Sequence, residues 1–185
     1  MENTAHTGKQ FDAVIQSCRE VFLAKMKDYG SSWRVLRVPS VTDQIYIKVL
    51  RIRSIDRKGR QMIEEGIRPE FAGIVNYSVI ALIQLGMGDR EELNLSPEEA
   101  EQLYARHVGT ARDLMLNKNH DYDEAWREMR LSSLTDIILM KLMRIKQIED
   151  HAGETLVSEG VESNYYDIIN YSVFALIRID EDENL

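Results

Sequence analysis

Residues 18–55 read CREVFLAKMKDYGSSWRVLRVPSVTDQIYIKVLRIRSI, and residues 111–148 read ARDLMLNKNHDYDEAWREMRLSSLTDIILMKLMRIKQI. The two stretches align without a gap at a constant offset of 93. Further along, EGIRPEFAGIVNYSVIALIQL at 65–85 aligns with EGVESNYYDIINYSVFALIRI at 159–179 at an offset of 94, so one residue was gained or lost between the blocks. The matches include polar and aromatic residues that core packing alone would not need. Lys25 repeats as Lys118, Asp28 and Tyr29 as Asp121 and Tyr122, and Trp33 and Arg34 as Trp126 and Arg127. Asp43, Lys48 and Arg51 repeat as Asp136, Lys141 and Arg144, Glu65 as Glu159, and Asn76 and Tyr77 as Asn170 and Tyr171. A duplication that holds polar residues at fixed spacing indicates two related sites, or one site built from two halves.

Along the chain the pattern is helical almost throughout. Val14, Ile15, Val21 and Phe22 follow helical spacing from about Phe11 to Lys27, and Gly30 with Ser31 and Ser32 breaks that helix. Pro39 and Ser40 precede a helix from about Thr42 to Arg57, and Pro69 suits the first turn of another that continues to about Leu85. Ser96, Pro97 and Glu99 spell a capped helix start, running to about Asn119. Ser133 with Asp136 resembles another cap, for a helix to about Asp150, and the last helix runs from about Ser163 to Ile179. The expected fold is all-α: a pseudo-symmetric helical bundle of two tandem three-helix repeats. Its parts are a flexible N-terminus (1–10), repeat 1 (11–87), a linker (88–96), repeat 2 (97–179) and an acidic tail (180–185). Each repeat alone is marginal for an independent core, so the halves should pack as one domain.

Composition narrows the function classes. A net charge of −8 over 185 residues argues against duplex nucleic acid, which needs a basic face. A small anionic ligand held by local Lys and Arg remains compatible with it. Cys18 is the single cysteine, so neither a disulfide framework nor a zinc cluster is expected. The start lacks an apolar signal core and no run approaches the ~20 apolar residues of a membrane span, so the expectations are a cytoplasmic location and no membrane partner. The duplication either supplies an internal two-fold or leaves room for a homodimer.

Two sets of residues could carry chemistry. Lys141 and Arg144 share a face of a helix that is otherwise apolar on nearly every side, as do Lys48 and Arg51. Cations there need partners, because an unpaired buried charge costs several kcal/mol. Either a bound phosphate or internal carboxylates would serve. The second set is acidic. Asp121, Glu159 and Asp167, from separate segments of repeat 2, could hold Mg²⁺ or Mn²⁺, which accept oxygen ligands and would orient a water against a phosphate. Asp167 has no counterpart in repeat 1, where Gly73 stands, so repeat 2 is the expected working half. Asp43 and Asp136 have a competing account as first-turn helix acids. His120 could contact phosphate, carry a proton beside Asp121, or cap a helix. Tyr122 and Trp126 either stack on a nucleobase or staple a loop to the core. No phosphate loop, nucleophile signature or dinucleotide fingerprint is present.

The order K-x-x-D-Y, K-x-x-R, then E…D-x-x-N-Y stands here as Lys118, Asp121, Tyr122, Lys141, Arg144, Glu159, Asp167, Asn170 and Tyr171. It stands again as Lys25, Asp28, Tyr29, Lys48, Arg51, Glu65, Asn76 and Tyr77, with Gly73 as the departure. It resembles the nucleotide-modification-associated domain 1 family, a helical family of phages and bacteria, and the tandem layout looks like that of the bacterial members. The resemblance implies a link to nucleotide or DNA-base modification. A weaker likeness to all-α nucleoside triphosphate pyrophosphatases lacks their ExxE…ExxD pattern.

Together these give a nucleotide-binding protein, extending to a Mg²⁺- or Mn²⁺-dependent (deoxy)nucleoside triphosphate pyrophosphohydrolase. Asp121 and His120 would be catalytic and Asp121, Glu159 and Asp167 would hold the metal. Lys118, Tyr122, Trp126, Lys141, Arg144, Asn170, Tyr171, Lys25, Lys48 and Arg51 would bind substrate. The alternative is a non-enzymatic interaction or regulatory module whose repeated charges are internal ion pairs.

Overall fold

The apolar residues at helical spacing form six α-helices in the computed structural model, which describes residues 2–58, 66–88, 93–151, 153–154 and 159–182. They are α1 (Glu2–Tyr29), α2 (Val38–Lys58), α3 (Arg68–Met87), α4 (Pro97–Tyr122), α5 (Leu131–Asp150) and α6 (Val161–Asp182). Short 3-10 turns at Ser32–Val35 and Ala125–Glu128 join the first and second helices of each half. The described residues include no strand. The helices stack in three layers: α1 with α4, then α3 with α6, then α2 with α5. α3 and α6 are therefore covered on both sides, which is why their sequences are apolar around most of the helix.

Several expectations are corrected by the structure. Residues 1–10 were expected to be flexible, but α1 begins at Glu2, because Thr7 is buried and its hydroxyl donates to Glu124 of the other half at 2.6 Å. The tail from 180 was expected to be solvated, but α6 continues to Asp182: Asp180 accepts two bonds from Arg68, and Glu181 accepts from Arg127 and Gln10. α2 starts at Val38 rather than Thr42, since a proline in the first turn lacks only an N–H that has no helical partner there. α5 starts at Leu131, with Arg130 rather than Ser133 at the cap. α3 is long and apolar enough to cross a bilayer by length and composition, yet two-thirds of that window is buried in this bundle. The Ser96–Glu99 capping box forms as expected.

A pseudo-two-fold relates the halves, and its contacts are reciprocal. Asp43 of α2 pairs with Lys146 of α5, while Asp136 of α5 pairs with Arg53 of α2 at 3.4 Å. The repeated aspartates thus tie one half to the other. Arg19 and Arg112 likewise each reach an acid on the opposite half's first helix, Glu101 and Asp12. Within each half, the repeated asparagine holds the third helix to the first. Asn76 donates to the Cys18 carbonyl and Asn170 to the Ala111 carbonyl, both at 3.0 Å. Position 84/178 caps the carbonyls that end each 3-10 turn: Gln84 donates to Leu36 and Arg178 to Met129.

The symmetry lapses at one hydroxyl. Tyr104 donates to Asn76 Oδ1 at 2.8 Å, but its counterpart is Phe11, and Asn170 Oδ1 is buried without a partner. A buried acceptor left unmatched costs about 1–3 kcal/mol. Phe11→Tyr should therefore raise the stability to urea by roughly 1 kcal/mol, while Tyr104→Phe lowers it by a similar amount. A destabilised Phe11→Tyr would mean that the new hydroxyl does not reach Asn170.

Candidate functional site

Each half carries three cations and buries one carboxylate among them, but the carboxylate sits at a different place in each. In the second half Asp167, 9% exposed on α6, accepts from Lys118 of α4 and Lys141 of α5, both at 2.5 Å. In the first half the equivalent position is Gly73, and the acid is Glu70, one helical turn earlier on α3. Glu70 accepts from Lys48 at 3.2 Å and from Arg51, both on α2. Asn164 stands where Glu70 would recur. Moving the acid by one turn changes which cation is left over. Among the described residues, Lys25 has no ion-pair partner in the first half, and Arg144 has none in the second. Burial works against the Lys118 charge, but the hydrogen bond to Asp167 and the charges of Asp167, Tyr171 and Glu159 outweigh it and raise its pKa. Burial and Asp167 together raise that of Tyr171.

Gly73 has a second effect. A cleft of about 460 Å³ opens over it, bounded by Val21, Lys25 and Tyr29 of α1, Trp33 and Val35 of the 3-10 turn, and Asn76 and Tyr77 of α3. Lys48 lies across its floor. A Cβ built on Gly73 would meet Lys48 Cε at 2.7 Å and Nζ at 3.0 Å. The ammonium also stands 5.9 Å from the centre of the Tyr77 ring. Val21, Tyr29 and Val35 are exposed at the mouth. Apolar walls around a few convergent polar groups are the usual make-up of a small-molecule site.

The profile of the nucleotide modification associated domain 1 family matches residues 25–85 and again 118–179. The chain belongs to this family. Both matched spans open on the lysine of the first helix and close at the end of the third, so each encloses one half's cations and its buried acid. No curated protein and no solved structure matches the chain.

In this family member the expected metal set is not assembled. Asp121 and His120, at the end of α4, are 74% and 86% exposed and face each other at 3.2 Å. Glu159 is exposed ahead of α6 and touches Lys118 only through its field. Asp167 is occupied by two lysines. Among the described residues no three His, Cys, Asp or Glu side chains could hold a metal ion together, so the residues present do not fit Mg²⁺ or Mn²⁺. Glu65 lies outside the described residues.

The aromatic and amide candidates divide in the same way. Trp126 is buried and stacks on Phe174 at 4.2 Å, so it staples the turn to the core and cannot meet a ligand. Asn170 is spent on Ala111, as described above. Tyr122 is exposed, and Tyr171 is half-buried with its ring edge-on to Phe174. Lys25, Lys48 and Tyr77 are brought together, and Arg51 stands behind them on Glu70. Glu70 escaped the sequence reading because it does not repeat. Its signal was its place one turn before the glycine that replaces the other half's acid.

Asp167→Asn should lower the melting temperature, since Lys141, only 13% exposed, loses its counter-charge. The pH dependence follows from the raised Lys118 pKa. The pair's contribution is complete below the ordinary lysine value and is lost as pH rises through the folded one. Denaturation curves of parent and variant should converge at alkaline pH. Equal stability at neutral pH would show that the Lys118–Asp167–Lys141 cluster contributes nothing.

Proposed function

We propose that this protein binds a nucleotide in the cleft of its first half. The phosphate would rest against Lys25 and Lys48, and the base or sugar against Tyr29, Tyr77 and the apolar mouth. The single observation behind this reading is the pairing of an apolar-walled cleft with Lys25, which no carboxylate of the described residues engages. A cation with all its donors available offers a phosphate charge-assisted hydrogen bonds. Aromatic faces at the same opening offer a base a sequence-tolerant surface. The family's description, which concerns nucleotide modification, points the same way.

The metal-dependent pyrophosphohydrolase reading needs carboxylates that converge, and Asp121, Glu159 and Asp167 do not. Binding without a derived hydrolytic step is therefore the reading advanced. The rival, a non-enzymatic module held by internal ion pairs, is supported by the two buried acids, each of which already neutralises two cations.

Calorimetric titration with ribo- and deoxynucleoside mono-, di- and triphosphates, with and without Mg²⁺, separates these readings, and the same mixtures can be assayed for pyrophosphate. The expected result is saturable binding of at least one nucleotide, weakened roughly 10-fold or more in Lys25→Ala, the loss typical of one charged hydrogen bond. No heat with any nucleotide would overturn the proposal in favour of the ion-pair module. Released pyrophosphate would restore the hydrolase.

A further inference from the structure

The two halves surround the same pair of lysines with different residues. Lys118 and Lys141 are the counterparts of Lys25 and Lys48. In the second half a carboxylate from α6 sits between them and takes one hydrogen bond on each oxygen, at 2.5 Å. In the first half nothing projects from that position of α3. The backbone there is glycine, the lysine of α2 comes to within 3.0 Å of where a Cβ would stand, and the cleft opens above it with Lys25 in its wall.

We infer that Asp167 is a built-in copy of the ligand's anionic group: the ligand places a carboxylate-sized or phosphate-sized anion over Gly73, bridging Lys25 and Lys48, and each chain therefore binds one ligand, in its first half only. This rests on the cleft being the binding site, and it adds where the anion lies, what it touches, and why the second half takes none. The chemistry is that of two lysines converging on one oxyanion. Each ammonium keeps donors for solvent or for further phosphate oxygens. Glu70 remains on Arg51 and Lys48, so Lys48 arrives already oriented, and Lys25 supplies the donors that are not engaged.

The two positions can be exchanged because they align and face the same pair of lysines, with Glu70 in place of Asn164 one turn earlier as the main difference. Gly73→Asp should close the first site by placing a carboxylate on Lys25 and Lys48. The three atoms nearest its Cβ all belong to the flexible end of Lys48, which must shift to admit it. Asp167→Gly should open a second site. The experiment is titration of the full chain and the three variants Gly73→Asp, Asp167→Gly and the double exchange, using inorganic pyrophosphate and the tightest nucleotide of the panel, with circular dichroism to confirm the helical fold of each.

The inference expects one ligand per parent chain, none for Gly73→Asp, two for Asp167→Gly and one again for the double exchange. Parent binding that survives Gly73→Asp within about two-fold would overturn the anion position while leaving nucleotide binding intact. Two ligands per parent chain would overturn the self-filled second half. A parent that binds nothing removes the nucleotide reading. In that case pyrophosphate binding by Asp167→Gly alone would still support the carboxylate as an anion mimic, and its absence there would remove the inference too. Should Asp167→Gly fail to fold, Gly73→Asp, which adds an ion pair, carries the decision.

Discussion

Two helices with no free face set the terms for everything else. α3 and α6 lie between the α1/α4 layer and the α2/α5 layer, so the polar side chains buried on them depend on partners inside the protein. Buried polar groups without partners are costly, and buried charges more so. This constraint accounts for the repeated residues better than any direct role in chemistry. Asn76 and Asn170 fasten the central helix to a carbonyl of the first. Gln84 and Arg178, although chemically different, both close the end of the 3-10 turn. Glu70 and Asp167 meet the cations that approach from α2, α4 and α5. The polar positions of the central helices are joints between layers, and the cleft beside Gly73 lies where one such joint differs between the halves.

The incompleteness arises from helix geometry. A carboxylate moved three residues along a helix stays on nearly the same face, one turn away. It can therefore still neutralise the shared lysine of α2 or α5 while exchanging its second partner. Glu70 takes Arg51 and releases Lys25; Asp167 takes Lys118 and releases Arg144. The shift conserves the number of buried charges, so stability alone gives little reason to prefer one arrangement. The consequence for shape is larger. The acid at 167 fills the space beside its lysines, whereas at Gly73 the Lys48 side chain lies where a Cβ would stand, along the floor of the cleft.

How much of this could be read from the chain depends on what the duplication displays. Residues identical in both halves were visible as a set, and the six helices, the internal symmetry and the need of Lys48, Arg51 and Lys141 for partners all followed from it, whereas Arg144 is exposed and has no ion-pair partner among the described residues. The same comparison hid whatever differs between the halves. Glu70 was unremarkable as the counterpart of Asn164, and Gly73 registered only as a missing acid, when its consequence is an opening. The ends of the chain misled for another reason. Polar composition at residues 1–10 and 180–182 suggested loose segments, but Thr7, Asp180 and Glu181 are held by Glu124, Arg68 and Arg127, which are far away in sequence. Local composition cannot reveal a long-range partner. Asp121 and His120 show the converse: they repeat or stand beside repeated residues, yet they project into solvent.

The charge of the whole and the charge of the cleft act over different distances. A net −8 repels a long polyanion before contact, and that repulsion grows with every phosphate the polymer brings near. At physiological ionic strength the field of scattered surface acids is screened beyond about 8 Å, whereas lysines in direct contact with a ligand are screened far less. On the proposed reading, an acidic protein with two lysines in an apolar cleft would select its ligand by size as well as by chemistry. A mononucleotide presents its charge at one end and can seat it on Lys25 and Lys48, while a nucleic acid strand must also bring its remaining phosphates toward the acidic surface. The acidity that sets duplex nucleic acid aside is, on this argument, part of what would make the cleft a site for a free nucleotide.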